Sequence, residues 1–255
     1  MVHVEAHNVE HAHEQAINLV DRLRGILNLI VNSKRSINPF FGLSKPHAIN
    51  RFRLGPYRTL HKPDGSLAVE MFWYEPRWAH DQESVKFAGP MEKTKANILK
   101  WWKRAQFNPL RDNIADGLLR YCRALDQHDT DSALLGLWGT LENLTGTQSE
   151  KYEVTVSRIV KLFKDHDDAR QVALHLKLRR NATVHAARSP THDEIDAVLL
   201  QAETLVGQII FFYIKQGKQF RNQQELIDFL DLSLNQEKLL RHRQIIGQFI
   251  QYQNR

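Results

Sequence analysis

Apolar residues recur at helical spacing near the start of the chain, alternate with polar ones for some twenty positions, and return to helical spacing afterwards. Between residues 9 and 32, Ala16, Leu19, Val20, Leu23, Leu27 and Ile30 fall on one stripe, with Asp21, Arg22 and Arg24 off it, which predicts an amphipathic helix. "NPFFGLSKP" then breaks the pattern with two prolines and a glycine. From Arg51 to Glu75 the period is two: Phe52 and Leu54 alternate with Arg51 and Arg53, and Leu67, Val69, Met71 and Trp73 alternate beyond "KPDG" at 62–65. A proline ahead of Asp-Gly suits a tight turn, so this stretch predicts a β-hairpin and the only sheet.

After "FAGP" the pattern is helical to the end. Segments are expected at about 91–106, 111–126, 131–145, 149–164 and 167–184. Ile114, Leu118, Cys122 and Leu125 share one face, and Leu134, Leu137, Trp138, Leu141 and Leu144 another. In "SPTHDE", Pro190 breaks the chain, Thr191 can cap and Glu194 stands three positions on, a capping box. The long helix it starts carries Ile195, Val198, Leu199, Ala202, Leu205, Val206, Ile209 and Tyr213 on one broad stripe. "KQGKQF" ends it, and further helices are expected through "QELIDFL" and "KLLRHRQIIGQFI". The fold class expected is mainly α: an N-terminal α+β part with one hairpin, 1–108, followed by a helical bundle, 109–255.

Composition narrows the function classes. With 42% hydrophobic and 25% charged residues the chain is an ordinary globular one. A net charge of +6 fits a polyanion partner without requiring one. Cys122 is the single cysteine, which excludes an intramolecular disulfide and a cysteine-based zinc site. The N-terminus has no basic region followed by an apolar run, so no signal peptide is expected. No uninterrupted apolar segment reaches the length of a membrane span, the nearest being "LVGQIIFFYI". A cytoplasmic protein without a membrane partner is expected, and "NAT" at 181–183 then carries no glycan meaning. No glycine-rich phosphate loop, Ser/His/Asp arrangement or helical HExxH is present, which weakens NTPase, hydrolase and metalloprotease readings.

The stretch "LRRNATVHAAR", 178–188, carries the candidate chemistry. Asn181 and His185 are four apart and share a helix face. Arg180 and His185 are five apart, about 140° around an ideal helix, so they converge only if the helix frays or turns near His185. An imidazole can take a proton from an attacking 2′-hydroxyl or give one to a leaving oxygen, and a guanidinium can hold a phosphate and the charge that grows on it. No metal or other cofactor is required. As a bare pattern Arg-x4-His means little: Arg170 and His175 repeat it, and Arg179 competes with Arg180.

The order of the surroundings is more specific. "LLGLWGTLENLTG", a polar helix, "RRNATVHAARSP" and a long apolar helix together resemble the HEPN superfamily, particularly its Apea-like members. The matching residues are Leu141 and Glu142, then Arg180, Asn181 and His185, over roughly 110–215. The resemblance implies a helical bundle that dimerises so that two copies of the motif line one cleft. It further implies a metal-independent endoribonuclease leaving a 2′,3′-cyclic phosphate, in a defence or toxin–antitoxin system with an antitoxin or other partner protein. His185 would then be the general acid and base, Arg180 the phosphate ligand and Asn181 the polar assistant, with Glu142 and Arg179 in support. Some members of the superfamily lack activity and serve as interaction or dimerisation modules, which is the alternative here.

Other positions invite weighing. His3, His7, His11 and His13 read as a solvated first turn, since zinc would need ligands the sequence does not display. "KDHDDAR", 164–170, reads as a helix-connecting loop. Arg51, Arg53, Arg58, His61 and Lys62 interleave with Phe52 and Tyr57, while Trp73, Tyr74 and Trp78 follow the turn. Basic and aromatic residues together can hold phosphates and stack bases, although the aromatics also suit a packing seam. Lys93, Lys95, Lys100, Lys103 and Arg104 around "KWWKR" extend the basic surface. Of these, Arg51, Arg53, Arg58, Lys62, Lys100, Lys103 and Arg104 are the candidate RNA contacts. Trp101 and Trp102 lie on different helix sides, so at least one is expected to be packed.

Overall fold

Ile114, Leu118, Cys122 and Leu125 are all buried, and the helix they define, α3 (Arg111–Leu125), is the hub of the fold. A computed structural model describes residues 1–32, 50–75, 90–184 and 192–253, of 192–196 the backbone alone. The other helices in chain order are α1 (Val9–Asn32), α2 (Met91–Gln106), α4 (Thr130–Thr145), α5 (Tyr152–Val160), α6 (His166–Val184), α7 (His192–Gln216), α8 (Gln223–Asp231) and α9 (Gln236–Gln253). The single sheet among the described residues is a hairpin of β1 (Tyr57–Arg58) and β2 (Trp73–Tyr74). The protein is therefore mainly α with one β-hairpin.

α3 packs against α1, α4 and α7, and α4 packs on α7 in turn. The expected stripes are the ones buried: Leu134, Leu137, Trp138, Leu141 and Leu144 on α4, and Val198, Leu199, Ala202, Leu205, Val206, Ile209 and Tyr213 on α7. Ile26 and Leu29 of α1 and Ala105 of α2 belong to the same apolar cluster. Residues Ala197–Gln219 are long and apolar enough, by length and composition, to cross a membrane. This exceeds what the interrupted apolar runs of the sequence suggested, but 67% of that window is buried by the other helices. The Tyr213 hydroxyl donates to the Leu144 carbonyl, tying α7 to the C-terminal end of α4.

α4 is closed at both ends by local chemistry. The Asp129 carboxylate accepts from the Ser132 amide at 2.7 Å, an N-cap. Gly146 ends the helix at φ +64°, the left-handed conformation that side chains disfavour. Arg158 of α5 donates to the carbonyls of Thr145 and Gly146 at 2.8 and 3.1 Å and makes a two-point pair with Asp231 of α8. The hydrogen bonds from Arg158 hold the Asp231 carboxyl below its usual range against partial desolvation. A depressed folded pKa contributes stability that is present above the unfolded value and lost as pH falls through the folded one. The stability difference between the native chain and Asp231→Asn is thus expected to be constant above about pH 5 and to shrink below about pH 4. Urea midpoints across that range measure it.

Two expectations are corrected. On α1, Leu23 is exposed, whereas Asp21, Arg24, Asn28 and Asn32 are buried. Those four polar residues recur at helical spacing and form the inward face with Gly25, Ile26 and Leu29. The hairpin also starts later than the alternation from Arg51 predicted: the pairs are Tyr57 with Tyr74 and Arg58 with Trp73, with an isolated bridge from His61 to Leu67. The backbone ahead of it is taken by α1 and Asn50. Asn28 Oδ1 accepts from the Arg51 amide at 2.9 Å, Asn50 Oδ1 from the Phe52 amide at 3.0 Å, and Arg24 Nε donates to the Phe52 carbonyl at 2.5 Å. The turn itself is as expected, with Gly65 at φ +88° donating to the Lys62 carbonyl at 2.9 Å.

α5 is shorter than the 149–164 segment expected. "KDHDDAR", expected as a connecting loop, instead runs into α6 from His166, where the Asp165 carboxylate accepts from the Asp168 amide at 3.1 Å. "NPFFGLSKP", Trp78, Pro190 and Thr191 lie outside the described residues. α9 has no buried side chain and exposes Ile246, Phe249 and Ile250.

Candidate active-site cleft

Ala169, Ala173 and Leu176 are buried on α6, and the same face continues to position 180. Arg180 is accordingly half-buried, while Leu178, two positions back, is exposed. Its guanidinium carbon lies 4.5 Å from the centroid of the Tyr152 ring at the start of α5, a cation–π contact. Tyr152 meets Trp138 of α4 edge to face at 6.0 Å, and the Trp138 indole donates to Glu142 Oε1 at 2.6 Å. Glu142, Tyr152 and Arg180 line one cleft of about 450 Å³ with Lys151 and residues 148–150 and 153.

The electrostatics of this cleft are mixed. Lys151 and Arg180 bring positive charge, Glu142, Glu150 and Glu153 negative. Glu153 is engaged by Lys177 at 2.6 Å, whose hydrogen bond holds its carboxyl below the usual range. Glu142 is turned to the Trp138 indole. Arg180 Nη1 reaches Asn181 Oδ1 only at 3.5 Å, and Arg180 Nε is buried without a hydrogen-bond partner among the described residues. A guanidinium with an unmatched donor at a cleft wall is suited to an added acceptor oxygen. The end of α6 is fastened by Thr183, which donates to Asp131 of α4 at 3.1 Å.

α6 thus carries Arg179, Arg180 and Asn181, all half-buried, and ends at Val184. His185 lies outside the described residues. The competing pair stands apart: Arg170 and His175 are exposed, and His175 Nδ1 is within 3.1 Å of Gln201 Oε1 on α7. Tyr152 and Trp138 were not singled out as site residues in the sequence. Tyr152 is 28 positions from Arg180, and its only local signal is an aromatic residue opening a short helix.

The candidate RNA contacts fall on two elements. Arg53 and Lys62 are exposed and Arg51 is half-buried near the hairpin. Arg58 is half-buried beside Glu75 at 3.6 Å. On α2, Lys100, Lys103 and Arg104 are exposed, with Arg104 lying 5.7 Å from the Trp101 ring. Trp101 packs on Phe211 of α7, as expected for at least one of the tryptophan pair. The hairpin aromatics divide. Trp73 stacks on His13 at 4.0 Å, forming the seam, while Tyr57, Phe72 and Tyr74 make an exposed cluster. Of the four N-terminal histidines, His3 and His7 are exposed as expected, whereas His13 is half-buried against Trp73, and this burial, with the charge of Arg58, lowers its pKa.

Asp21, Cys122 and Asp126 place three metal-ligand atoms within 4.8 Å of one another. The cation among them is already Arg24, bonded to Asp21 at 2.6 Å and to Asp126 at 2.6 and 3.0 Å. Burial pushes the Cys122 thiol up to about 12, with Arg24 opposing and the two aspartates adding, so it stays protonated and unreactive at neutral pH.

No protein-family model, curated protein or solved structure gives a significant match to this chain.

Proposed function

We propose that this chain is a metal-independent endoribonuclease of HEPN type. The observation that carries the reading is Arg180: half-buried, held over the Tyr152 ring, with an Nε unmatched among the described residues at a cleft shared with Glu142, five residues ahead of His185. The resemblance of "RRNATVHAAR" and of the Leu141–Glu142 helix to that superfamily supplies the roles. His185 removes the proton from the 2′-hydroxyl, whose oxygen attacks the adjacent phosphorus. Arg180 holds the phosphate as charge grows on it. The bond to the 5′-oxygen breaks, that oxygen takes a proton from the imidazolium, and a 2′,3′-cyclic phosphate remains. Asn181 orients the phosphate or the imidazole. The working form is a homodimer with two motifs in one cleft, acting in the cytoplasm in antiviral defence or beside an antitoxin partner.

A second reading is a non-catalytic HEPN-like interaction module whose partner supplies the activity. It is favoured by α9, which exposes Leu240, Ile245, Ile246, Phe249 and Ile250. Structured RNA incubated in EDTA separates the two. Cleavage by the native chain that disappears in His185→Ala and Arg180→Ala, while His175→Ala cleaves normally, is the expected result. Equal cleavage by all four proteins, or cleavage by none, would overturn the ribonuclease reading.

A further inference from the structure

A second cleft, of about 630 Å³, opens where α1, α2 and α3 meet and shares no lining residue with the Glu142–Arg180 cleft. Its volume is that of a small-ligand site. Arg22 enters from α1, Trp102 and Lys103 from α2, Phe107 from the α2–α3 link, and Arg111 and Asp112 from α3. Three features point to one ligand chemistry. Phe107 is 78% exposed although it sits beside a packed helix end, which leaves an aromatic face open to solvent. Trp102, half-buried, lines the same space. Three cations stand against one carboxylate, and the Nε of Arg22 is buried with no hydrogen-bond partner among the described residues. The Arg111–Asp112 contact is long, at 3.8 Å, and both side chains are exposed, so it leaves Arg111 able to turn to another anion.

We propose that this cleft binds a nucleotide, its base against Phe107 and Trp102 and its phosphate on Lys103, Arg111 and Arg22. Aromatic faces accept any base, and guanidinium and ammonium groups accept phosphate oxygens. An apolar ligand would leave the three cations without a partner, and a simple anion would make no use of the aromatic pair. Lys100 stands one turn back from Lys103 on α2 and is also exposed, so the positive surface continues past the cleft along the helix. That continuation favours a nucleotide within a single strand over a free one.

The proposal concerns binding and does not depend on cleavage at the other cleft. The test uses the full chain and a fluorescent 12-nucleotide 2′-O-methyl RNA, which lacks the attacking hydroxyl and stays intact. Phe107→Ala is expected to weaken binding about 10-fold without changing the salt dependence. Lys103→Gln/Arg111→Gln is expected to make the slope of log K against log salt shallower by about 1.4. Lys238→Gln/Arg241→Gln, an equal loss of charge on exposed positions of α9, is expected to leave affinity within twofold. All three variants should keep the native circular dichroism and urea midpoint. AMP titrated in competition distinguishes the source. Displacement that depends on Phe107 supports a free nucleotide, and none, with the oligonucleotide still Phe107-dependent, supports a strand. Binding unchanged in the Phe107 and Lys103/Arg111 variants, or weakened as much by the α9 pair, overturns the site.

Discussion

Arg24→Ala is expected to lower the unfolding free energy by about 3–5 kcal/mol, the cost of removing one partner from a buried charge network. Arg24 is 5% exposed and donates to Asp21, to both oxygens of Asp126 and to the Phe52 carbonyl. Without it the Asp21 carboxylate, 2% exposed, keeps among the described residues only Arg123 at 3.4 Å. Burial alone would lower the Arg24 pKa, but the bonds to Asp126 and the charges of Asp126 and Asp21 raise it, so the guanidinium is charged at every working pH. In a chain of this size the loss corresponds to a fall in Tm of about 6–20 °C. Urea unfolding checks it, read as a lower midpoint at unchanged slope. Adding Asp21→Asn to Arg24→Met should recover part of the loss, because the stranded charge goes with its partner. A loss below about 1 kcal/mol in Arg24→Ala would show that the network is solvated in solution.

That network also marks where the sequence stopped being informative. Helical period was enough to place α2, α3, α4, α6 and α7, and on α3, α4 and α7 the apolar stripes named from the sequence are the ones buried. On α1 the same rule chose the wrong face. A periodic reading sends charge to solvent, whereas Asp21 and Arg24 face inward and satisfy each other with Asp126, a residue 102 positions from Arg24. Asn28 and Asn50 join it through a 2.8 Å hydrogen bond, and Asn32 contacts Glu203 on α7 at 3.1 Å. Polar partners so distant have no local signature, and only the packing of α1 on α3 and α7 brings them together. The hairpin start was missed for the same reason, since α1 side chains occupy the backbone from Arg51 to Phe52.

The candidate site divides along similar lines. Arg180, Asn181 and Glu142 were legible from motif and order, and the fold brings Arg180 and Glu142 to one cleft. Tyr152 and Trp138, which set the position of the Arg180 guanidinium and the Glu142 carboxylate, were legible only as packing aromatics. Their contribution depends on the angle between α5 and the ends of α4 and α6. The basic residues of α2 and the hairpin were legible as charge. Which of them share a cavity with aromatic faces was not, because Arg22 and Arg111 come from two other helices.

On the ribonuclease reading proposed above, Arg180→Lys is expected to cut RNA cleavage nearly as far as Arg180→Ala, by about 100- to 1000-fold in kcat. Lysine keeps the charge but has neither the planar fork that spans two phosphate oxygens nor the flat face that stacks on Tyr152. Tyr152→Phe should cleave like the native chain, since the ring face and not the hydroxyl meets the guanidinium. Tyr152→Leu removes the quadrupole while filling the space, and a cation–π contact worth about 1–2 kcal/mol sets an expected loss of about 5- to 30-fold. If Tyr152 positions Arg180 for the transition state, that loss falls on kcat with KM little changed. Equal losses in Tyr152→Phe and Tyr152→Leu would assign the tyrosine a structural role through its hydroxyl. Native rates in Arg180→Lys would reduce Arg180 to a source of positive charge, a role that Arg179 or Lys151 fills equally well.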